Sequence, residues 1–161
     1  MTIQVGDTVP EGTLMRMTAE GPQPLTTSEL FNGKKVVLFA VPGAFTPTCS
    51  AKHVPSFLSN FEALKAKGVD TIACLSVNDV FVMGAWGKDQ GVGDRIEMLA
   101  DGSGAYTAAL GLELDLTARG LGKRATRFAM IVENGKVTHL GIEQNPGELA
   151  VSGGEAVLEK L

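Results

Sequence analysis

Two apolar segments separated by an amphipathic one constrain the fold of this chain more than any other feature. "KKVVLFAV" (34–41) and "VDTIACLSV" (69–77) are continuous apolar runs flanked by turn residues, which is typical of strands buried on both faces of a sheet. Between them, "VPSFLSNFEALKAKG" (54–68) has large apolar side chains spaced by four and three residues, which predicts an amphipathic helix that ends at Gly68. A strand, a helix and a strand in this order predict a parallel crossover.

The second half of the chain adds a hairpin and several short elements. Asn134 and Gly135 separate "RFAMIVE" from "KVTHLGI" and are typical of a two-residue hairpin turn of type I′. Because a hairpin pairs its strands antiparallel, the sheet is predicted to be mixed. The other predicted elements are a helix from Asp79 to Gly91, a strand in "IEMLAD", a helix in "GAYTAALG" and a final helix over 154–161 that covers the sheet.

Length and charge narrow the possible functions. The 161 residues suit one domain spanning 1–161. Fourteen basic and eighteen acidic side chains give a net charge of -4, and no cluster of Lys or Arg stands out, so no nucleic-acid partner is expected. The N-terminus lacks a basic segment followed by an apolar one, and no run of eighteen apolar residues occurs. We therefore expect a soluble, cytoplasmic protein without a membrane partner.

The two cysteines do not predict a metal site or a disulfide framework. Cys49 and Cys74 lie 25 positions apart, with no second pair and no histidine at ligand spacing. "GVGDRI" begins like a dinucleotide-binding loop but has Ile96 in place of the last glycine. No metal, nucleotide or other cofactor is therefore expected.

The residues around Cys49 favour a reactive thiol. Proline and threonine precede it and polar or small residues follow it, which predicts that Cys49 lies in the first turn of a helix, where unpaired N–H groups and the helix dipole favour a thiolate. Thr46 supplies a hydroxyl three residues earlier, and Pro42 and Pro47 stiffen the loop. A lone cysteine beside an apolar strand is, however, often a buried core residue. The local pattern alone leaves both interpretations open.

A family resemblance favours the reactive interpretation. "VPGAFTPTC" resembles the active-site loop of the peroxiredoxins, in which Pro, Thr or Ser, and Cys occupy the places of Pro42, Thr46 and Cys49. "CLSVND", "LADGSGAYTAALGL" and "RATRFAMIVENGKV" also resemble the peroxiredoxin-5 or type II branch, and Arg127 matches the arginine of the family. The resemblance implies an α/β fold, a thioredoxin-like three-layer α/β/α sandwich with a mixed central sheet.

The resemblance also implies a thiol peroxidase that reduces hydrogen peroxide and organic hydroperoxides. Cys49 would be the nucleophile and would become a sulfenic acid. Thr46, Arg127 and backbone N–H groups at Cys49 would stabilise charge on both peroxide oxygens in the transition state. Arg127 would also keep the thiolate charged, and Pro42 would shield it from water.

The sequence allows two routes from the sulfenic acid back to the thiol, one through an internal cysteine and one through an external thiol. Some members of this branch have a resolving cysteine near the C-terminus, where this chain has Val151 and Ser152. Cys74 is the one internal candidate, but its apolar strand favours an inert, buried thiol. Glutaredoxin, glutathione or thioredoxin could instead supply an external thiol. Relatives commonly form homodimers, so we also expect Phe45, Phe81 and Trp86 to lie near a dimer contact.

Two other functions are compatible with a cysteine in this position. His53 lies four residues after Cys49, so a Cys-dependent hydrolase using His53 or His139 is a weak alternative. Packing or hydrogen bonding is the expected role of His53, and His139 is expected to be structural. A redox-signalling thiol module with slow turnover is the other alternative, and it is compatible with peroxide chemistry at Cys49.

Overall fold

A computed structural model describes all residues, 1–161. The strands are β1 (Thr13–Thr18), β2 (Gly21–Thr26), β3 (Lys35–Ala40), β4 (Thr71–Ser76), β5 (Glu97–Ala100), β6 (Glu113–Leu116), β7 (Gly122–Ala125), β8 (Phe128–Glu133) and β9 (Lys136–Ile142). The main sheet has seven of them in the order β2-β1-β5-β4-β3-β8-β9, and β6 and β7 form a separate antiparallel pair. The helices are α1 (Thr27–Phe31), α2 (Val54–Ser59), α3 (Phe61–Ala66), α4 (Val80–Gln90), α5 (Ala105–Leu110) and α6 (Gly154–Leu158).

The two predicted apolar strands form the centre of the sheet. β3 and β4 run parallel, with Phe39 opposite Cys74, and β8 and β9 extend the sheet antiparallel on the far side of β3. The predicted parallel crossover and the mixed sheet are both confirmed. The hairpin turn is also as predicted, since Asn134 and Gly135 both have positive φ angles, 48° and 81°, as a type I′ turn requires.

Alternate residues of β3 enter two separate cores, which produces three layers. Leu38 faces the cluster beneath α1 and α5, whereas Phe39 faces the cluster beneath α2, α3, α4 and α6. Both side chains are fully buried. This arrangement is the predicted three-layer sandwich.

The helix predicted over 54–68 is interrupted. It consists of α2 and α3, separated at Asn60, whose Nδ2 donates to the Ser56 carbonyl at 2.8 Å. That side chain takes an acceptor that the backbone of a continuous helix would use, which accounts for the break. Before α2, residues Cys49–His53 form a π-helical turn, in which the Val54 N–H donates to the Cys49 carbonyl.

Other predicted boundaries agree with the structure to within a few residues. α4 begins after Asp79, whose Oδ1 accepts from the Val82 N–H at 2.8 Å, and it ends at Gly91 in the left-handed conformation. The last helix, α6, ends at Leu158 instead of continuing to 161. No helix has both the length and the apolar character needed to cross a membrane.

Candidate active site

Cys49 lies where the chain leaves the centre of the sheet. β3 ends at Ala40, a loop follows that is buried at its start and exposed at Phe45 and Pro47, and the π-helical turn begins at Cys49. Within this loop Phe45 has a φ of 63°, a left-handed conformation that is uncommon for a large side chain. Single π turns occur frequently at functional sites. The turn leaves the Cys49 sulfur facing inward, and the residue has no exposed surface.

Two side chains make hydrogen bonds with the sulfur. Thr46 Oγ1 lies 2.8 Å from Cys49 Sγ, and Arg127 Nη2 lies 3.1 Å from it. Arg127 is 78 residues from Cys49 in the chain and is itself only 2% exposed. Pro42, at the start of the same loop, is buried. The fold thus brings two of the predicted side chains, Thr46 and Arg127, onto the sulfur of Cys49.

The Thr46 hydroxyl has two neighbours and one hydrogen. Its Oγ1 lies 2.7 Å from the Gly43 carbonyl oxygen as well as 2.8 Å from the sulfur. Against a protonated thiol, the hydroxyl can accept from S–H and donate to Gly43. Against a thiolate it must donate to sulfur, because an oxygen lone pair would otherwise face the negative charge. By rotating, the Thr46 hydroxyl can form a hydrogen bond with either the thiol or the thiolate form of Cys49.

Nη2 of Arg127 contacts the sulfur, and the other two guanidinium nitrogens are held by hydrogen bonds to the protein. Its Nε donates to the Pro146 carbonyl at 2.8 Å, and its Nη1 donates to His53 Nδ1 at 2.8 Å. No carboxylate forms a salt bridge with it. The positive charge of Arg127 is therefore not paired in a salt bridge, and its Nη2 faces Cys49.

His53 is a neutral hydrogen-bond bridge. A guanidinium can only donate, so Nδ1 is the acceptor, and Nε2 carries the hydrogen that it donates to the Ser152 carbonyl at 2.8 Å. Burial, followed by the Arg127 charge, lowers the pKa of His53 to about 3. Neither ring nitrogen is free to take a proton from Cys49, so His53 does not form the Cys–His pair that a hydrolase would need. His139 lies on β9 and makes no hydrogen bond with the sulfur.

A buried carboxylate that sequence reasoning missed organises the segment behind His53 and Arg127. Glu143 is 5% exposed and accepts from the N–H groups of Ala150, Val151 and Ser152 and from the Ser152 hydroxyl, at 2.7 to 3.0 Å. Burial raises the pKa of Glu143, but these hydrogen bonds outweigh burial and lower it overall. Because most of these donors are backbone groups, no residue pattern in the sequence indicates the contact.

The outer face of the loop has two further polar contacts. Arg124 Nη1 donates to the Pro42 carbonyl at 3.4 Å, and Trp86 Nε1 donates to Ser50 Oγ at 3.0 Å. The second bond ties the π-helical turn to α4. Because Trp86 is the one tryptophan of the chain, its fluorescence is a natural reporter of that turn.

Cys74 belongs to the same buried cluster as Cys49 but differs in its surroundings. It lies in the middle of β4, has no exposed surface and is not disulfide-bonded. Burial raises the pKa of the Cys74 thiol well above its usual range, and nearby Cys49 raises it further, while Arg127 acts in the opposite direction. The Cys74 thiol is therefore protonated and a poor nucleophile at neutral pH.

The three aromatic residues expected near a dimer contact do not share one environment. Phe45 and Phe81 are 53% and 65% exposed. Trp86 is fully buried, with its ring centroid 6.5 Å from that of Phe45. Only the two phenylalanines can touch a partner directly, because the Trp86 ring is used inside the protein to hold the loop.

Similarity to known proteins agrees with this geometry. Residues 4–158 match the Redoxin family. The chain is 52% identical to peroxiredoxin-2C of Oryza sativa subsp. japonica, covering 99% of this chain and 98% of that one. It is 53% identical to peroxiredoxin-2B of Arabidopsis thaliana, with the same coverage. The chain is a peroxiredoxin. This peroxiredoxin also resembles reduced Prx3 of Vibrio vulnificus, solved in complex with hydrogen peroxide, with a TM-score of 0.93, 52% identity and 99% coverage of both chains.

Membership confirms the resemblance read from the active-site loop. The peroxiredoxin is a thiol-dependent peroxidase, and its thioredoxin-like fold is the one that the sequence predicted. A hydrolase acting through a Cys–His pair agrees neither with the family nor with the hydrogen bonds of His53.

Proposed function

We propose that Cys49 reduces hydrogen peroxide and organic hydroperoxides, with Thr46 and Arg127 as the donors that stabilise the reacting atoms and an external thiol as the reductant. The observation that carries the proposal is the pair of donors on one buried sulfur, Thr46 at 2.8 Å and Arg127 at 3.1 Å. Hydrogen peroxide as a substrate is further supported by the related Vibrio vulnificus protein, which was solved with it bound.

The first half-reaction is a displacement at oxygen. The thiolate of Cys49 attacks the terminal oxygen of the hydroperoxide, the S–O bond forms, and the O–O bond breaks. Sulfur is oxidised by two electrons to a sulfenic acid, and the departing oxygen takes a proton to leave as water or an alcohol. Thr46 and Arg127 contact the position where charge moves from sulfur to oxygen, so they stabilise the transition state more than the bound peroxide. Pro42 keeps bulk water from the sulfur.

The second half-reaction uses a thiol from outside the chain. That thiol condenses with the sulfenic acid to give a mixed disulfide and water, and a further thiol then releases Cys49 as a thiol. Cys74 is a poor candidate for this step because it is protonated, wholly buried and fixed in a central strand. Glutaredoxin, glutathione and thioredoxin all supply suitable thiols, and the chemistry at Cys49 is the same for each.

Intact mass after one equivalent of hydrogen peroxide tests this proposal. We expect the reduced protein to gain one oxygen atom, the Cys74→Ser variant to do the same, and the Cys49→Ser variant to gain none. Steady-state turnover of Cys74→Ser with each external reductant should match that of the native protein. Loss of two hydrogens without dimer formation, together with loss of turnover in Cys74→Ser, would show instead that Cys74 resolves the sulfenic acid.

A homodimer formed through the face that carries Phe45 and Phe81 is also part of the proposal. Phe45 and Phe81 are large apolar side chains that stay exposed, and Phe81 lies on α4, the helix whose Trp86 ring is 6.5 Å from the Phe45 ring. The left-handed backbone at Phe45 adds support, because an uncommon conformation that directs a large apolar side chain outward needs a compensating contact.

A further inference from the structure

We infer that Glu143 is a positioning residue of the peroxidase, acting on the sulfur of Cys49 through Arg127. The inference rests on the role proposed above for Arg127 and adds a residue that contacts neither sulfur nor substrate. It concerns the segment 144–152, which connects the end of the sheet to α6 and passes behind the active site.

The Glu143 carboxylate fixes the far end of this segment. Its Oε2 accepts from the N–H groups of Ala150, Val151 and Ser152 and from the Ser152 hydroxyl, and Oε1 also approaches the Ala150 N–H. Only a carboxylate offers enough acceptor sites for donors that converge in this way. With Glu143 in place, the chain direction at residues 150–152 is determined.

Two carbonyls of the same segment then hold the arginine. The Pro146 carbonyl accepts directly from Arg127 Nε at 2.8 Å. The Ser152 carbonyl accepts from His53 Nε2 at 2.8 Å, which orients the ring so that Nδ1 accepts from Arg127 Nη1. The remaining nitrogen, Nη2, contacts the sulfur at 3.1 Å. The segment 144–152 thus fixes the orientation of the Arg127 guanidinium through two contacts, one direct and one through His53.

A substitution at Glu143 should therefore act at the sulfur without touching it. Glutamine has one neutral oxygen with two lone pairs for the four donors that converge on Oε2, and its NH₂ group would face the Ala150 N–H in place of Oε1. The segment must then shift, and its two carbonyls shift with it. Displacement of a catalytic group by about 1 Å can cost about 100-fold in rate.

A double-mutant cycle separates this positioning role from a general loss of stability. We would measure the rate constant for oxidation of Cys49 by hydrogen peroxide, using rapid quench and intact mass, in the native protein, Glu143→Gln, Arg127→Gln and the double variant. We expect Glu143→Gln to lose about tenfold to 100-fold in the native background and less than about twofold when Arg127 is already replaced. Glu148→Gln, an exposed glutamate of the same segment, is the matched control and should react like the native protein.

The outcomes distinguish the inference from the proposed function. An equal loss in both backgrounds, or no loss in either, would overturn the positioning role of Glu143. An Arg127→Gln variant that is oxidised as fast as the native protein would refute the role proposed for Arg127, and the inference would fail with it. If Glu143→Gln does not fold, Ser152→Ala takes its place in the cycle, because it removes one donor to Glu143 and keeps the Ser152 carbonyl. A loss of about threefold that disappears in the Arg127→Gln background would support the inference, and any other result for this variant would overturn it.

Discussion

Replacement of Thr46 by valine should slow oxidation of Cys49 by roughly 30-fold. Valine has nearly the same shape as threonine but no hydroxyl, so the hydrogen bond of 2.8 Å to the sulfur is lost, together with the bond of 2.7 Å to the Gly43 carbonyl, while the packing is kept. A hydrogen bond to a charged group contributes roughly 1.5–3 kcal/mol. If the hydroxyl donates to charge that moves from sulfur to the peroxide, a value of about 2 kcal/mol corresponds to roughly 30-fold in rate.

The matched control is Thr46→Ser, which keeps the hydroxyl and removes the methyl group. The Thr46 methyl packs against the loop at Gly43, where a side-chain carbon added to the glycine would lie 3.2 Å from it. Stopped-flow fluorescence of Trp86, recorded over a range of peroxide concentrations, gives the second-order rate constant for each variant. Serine should stay within about threefold of the native rate, because its hydroxyl can still reach the sulfur.

Two results would refute this reasoning. A Thr46→Val variant oxidised at nearly the native rate would mean that the hydroxyl does not assist the reaction. Equal losses for valine and serine would mean that packing of the methyl group, and not the hydrogen bond, sets the geometry of the loop. Quenched samples analysed by intact mass would exclude a change in the fluorescence signal as the cause.

Two further predictions concern stability and assembly. The pKa of His53 is about 3 in the folded protein and about 6.5 in the unfolded chain. The stability that neutral His53 contributes is therefore fully present above pH 6.5. It is lost as the pH falls, by roughly 2 kcal/mol at about pH 5. Urea unfolding at about pH 7.5 and about pH 5 should show this loss in the native protein but not in His53→Gln, and equal pH dependence of the two would contradict it. Phe81→Glu should weaken a homodimer by about 100-fold or more, because a charge would enter an apolar contact. Sedimentation velocity at about micromolar concentration measures the fraction of dimer, with Val5→Glu as a control on another exposed apolar residue. A native protein that is already monomeric, or a Phe81→Glu variant that stays dimeric, would contradict the proposed contact.

The centre of the sheet was predictable from sequence, and its edge was not. β3 and β4 are continuous apolar runs because both faces of a central strand are buried. The edge strand β2, "GPQPLT", has two prolines and exposes most of its residues, so it resembles a loop in sequence although it pairs along its whole length with β1. β6 and β7 are four residues each and mostly exposed or half-buried, so they carry no apolar pattern that could indicate a strand.

In the active site, too, part of the arrangement was predictable from the sequence and part was not. Thr46 and Cys49 lie three residues apart and could be paired from the loop alone, and Arg127 followed from the family resemblance. The support for Arg127 could not be predicted, because its partners include the backbone carbonyl of Pro146 and a histidine whose other bond is to a carbonyl 99 residues away. Nearly every residue has the same backbone groups, so contacts to them cannot be predicted from residue types.

The two halves of the proposed cycle require different accessibility of the same sulfur. Oxidation is favoured by the closed arrangement, in which Cys49 has no exposed surface and Thr46 and Arg127 both contact its sulfur. Reduction requires a second sulfur to come within bonding distance of Cys49, which its complete burial prevents until the turn Cys49–His53 opens. We expect the added oxygen of the sulfenic acid to favour that opening, since it must enter space already bounded by the Thr46 and Arg127 donors. A substitution that only strengthens the closed turn should therefore leave oxidation intact and slow re-reduction, so the two rates have to be measured separately and not inferred from overall turnover.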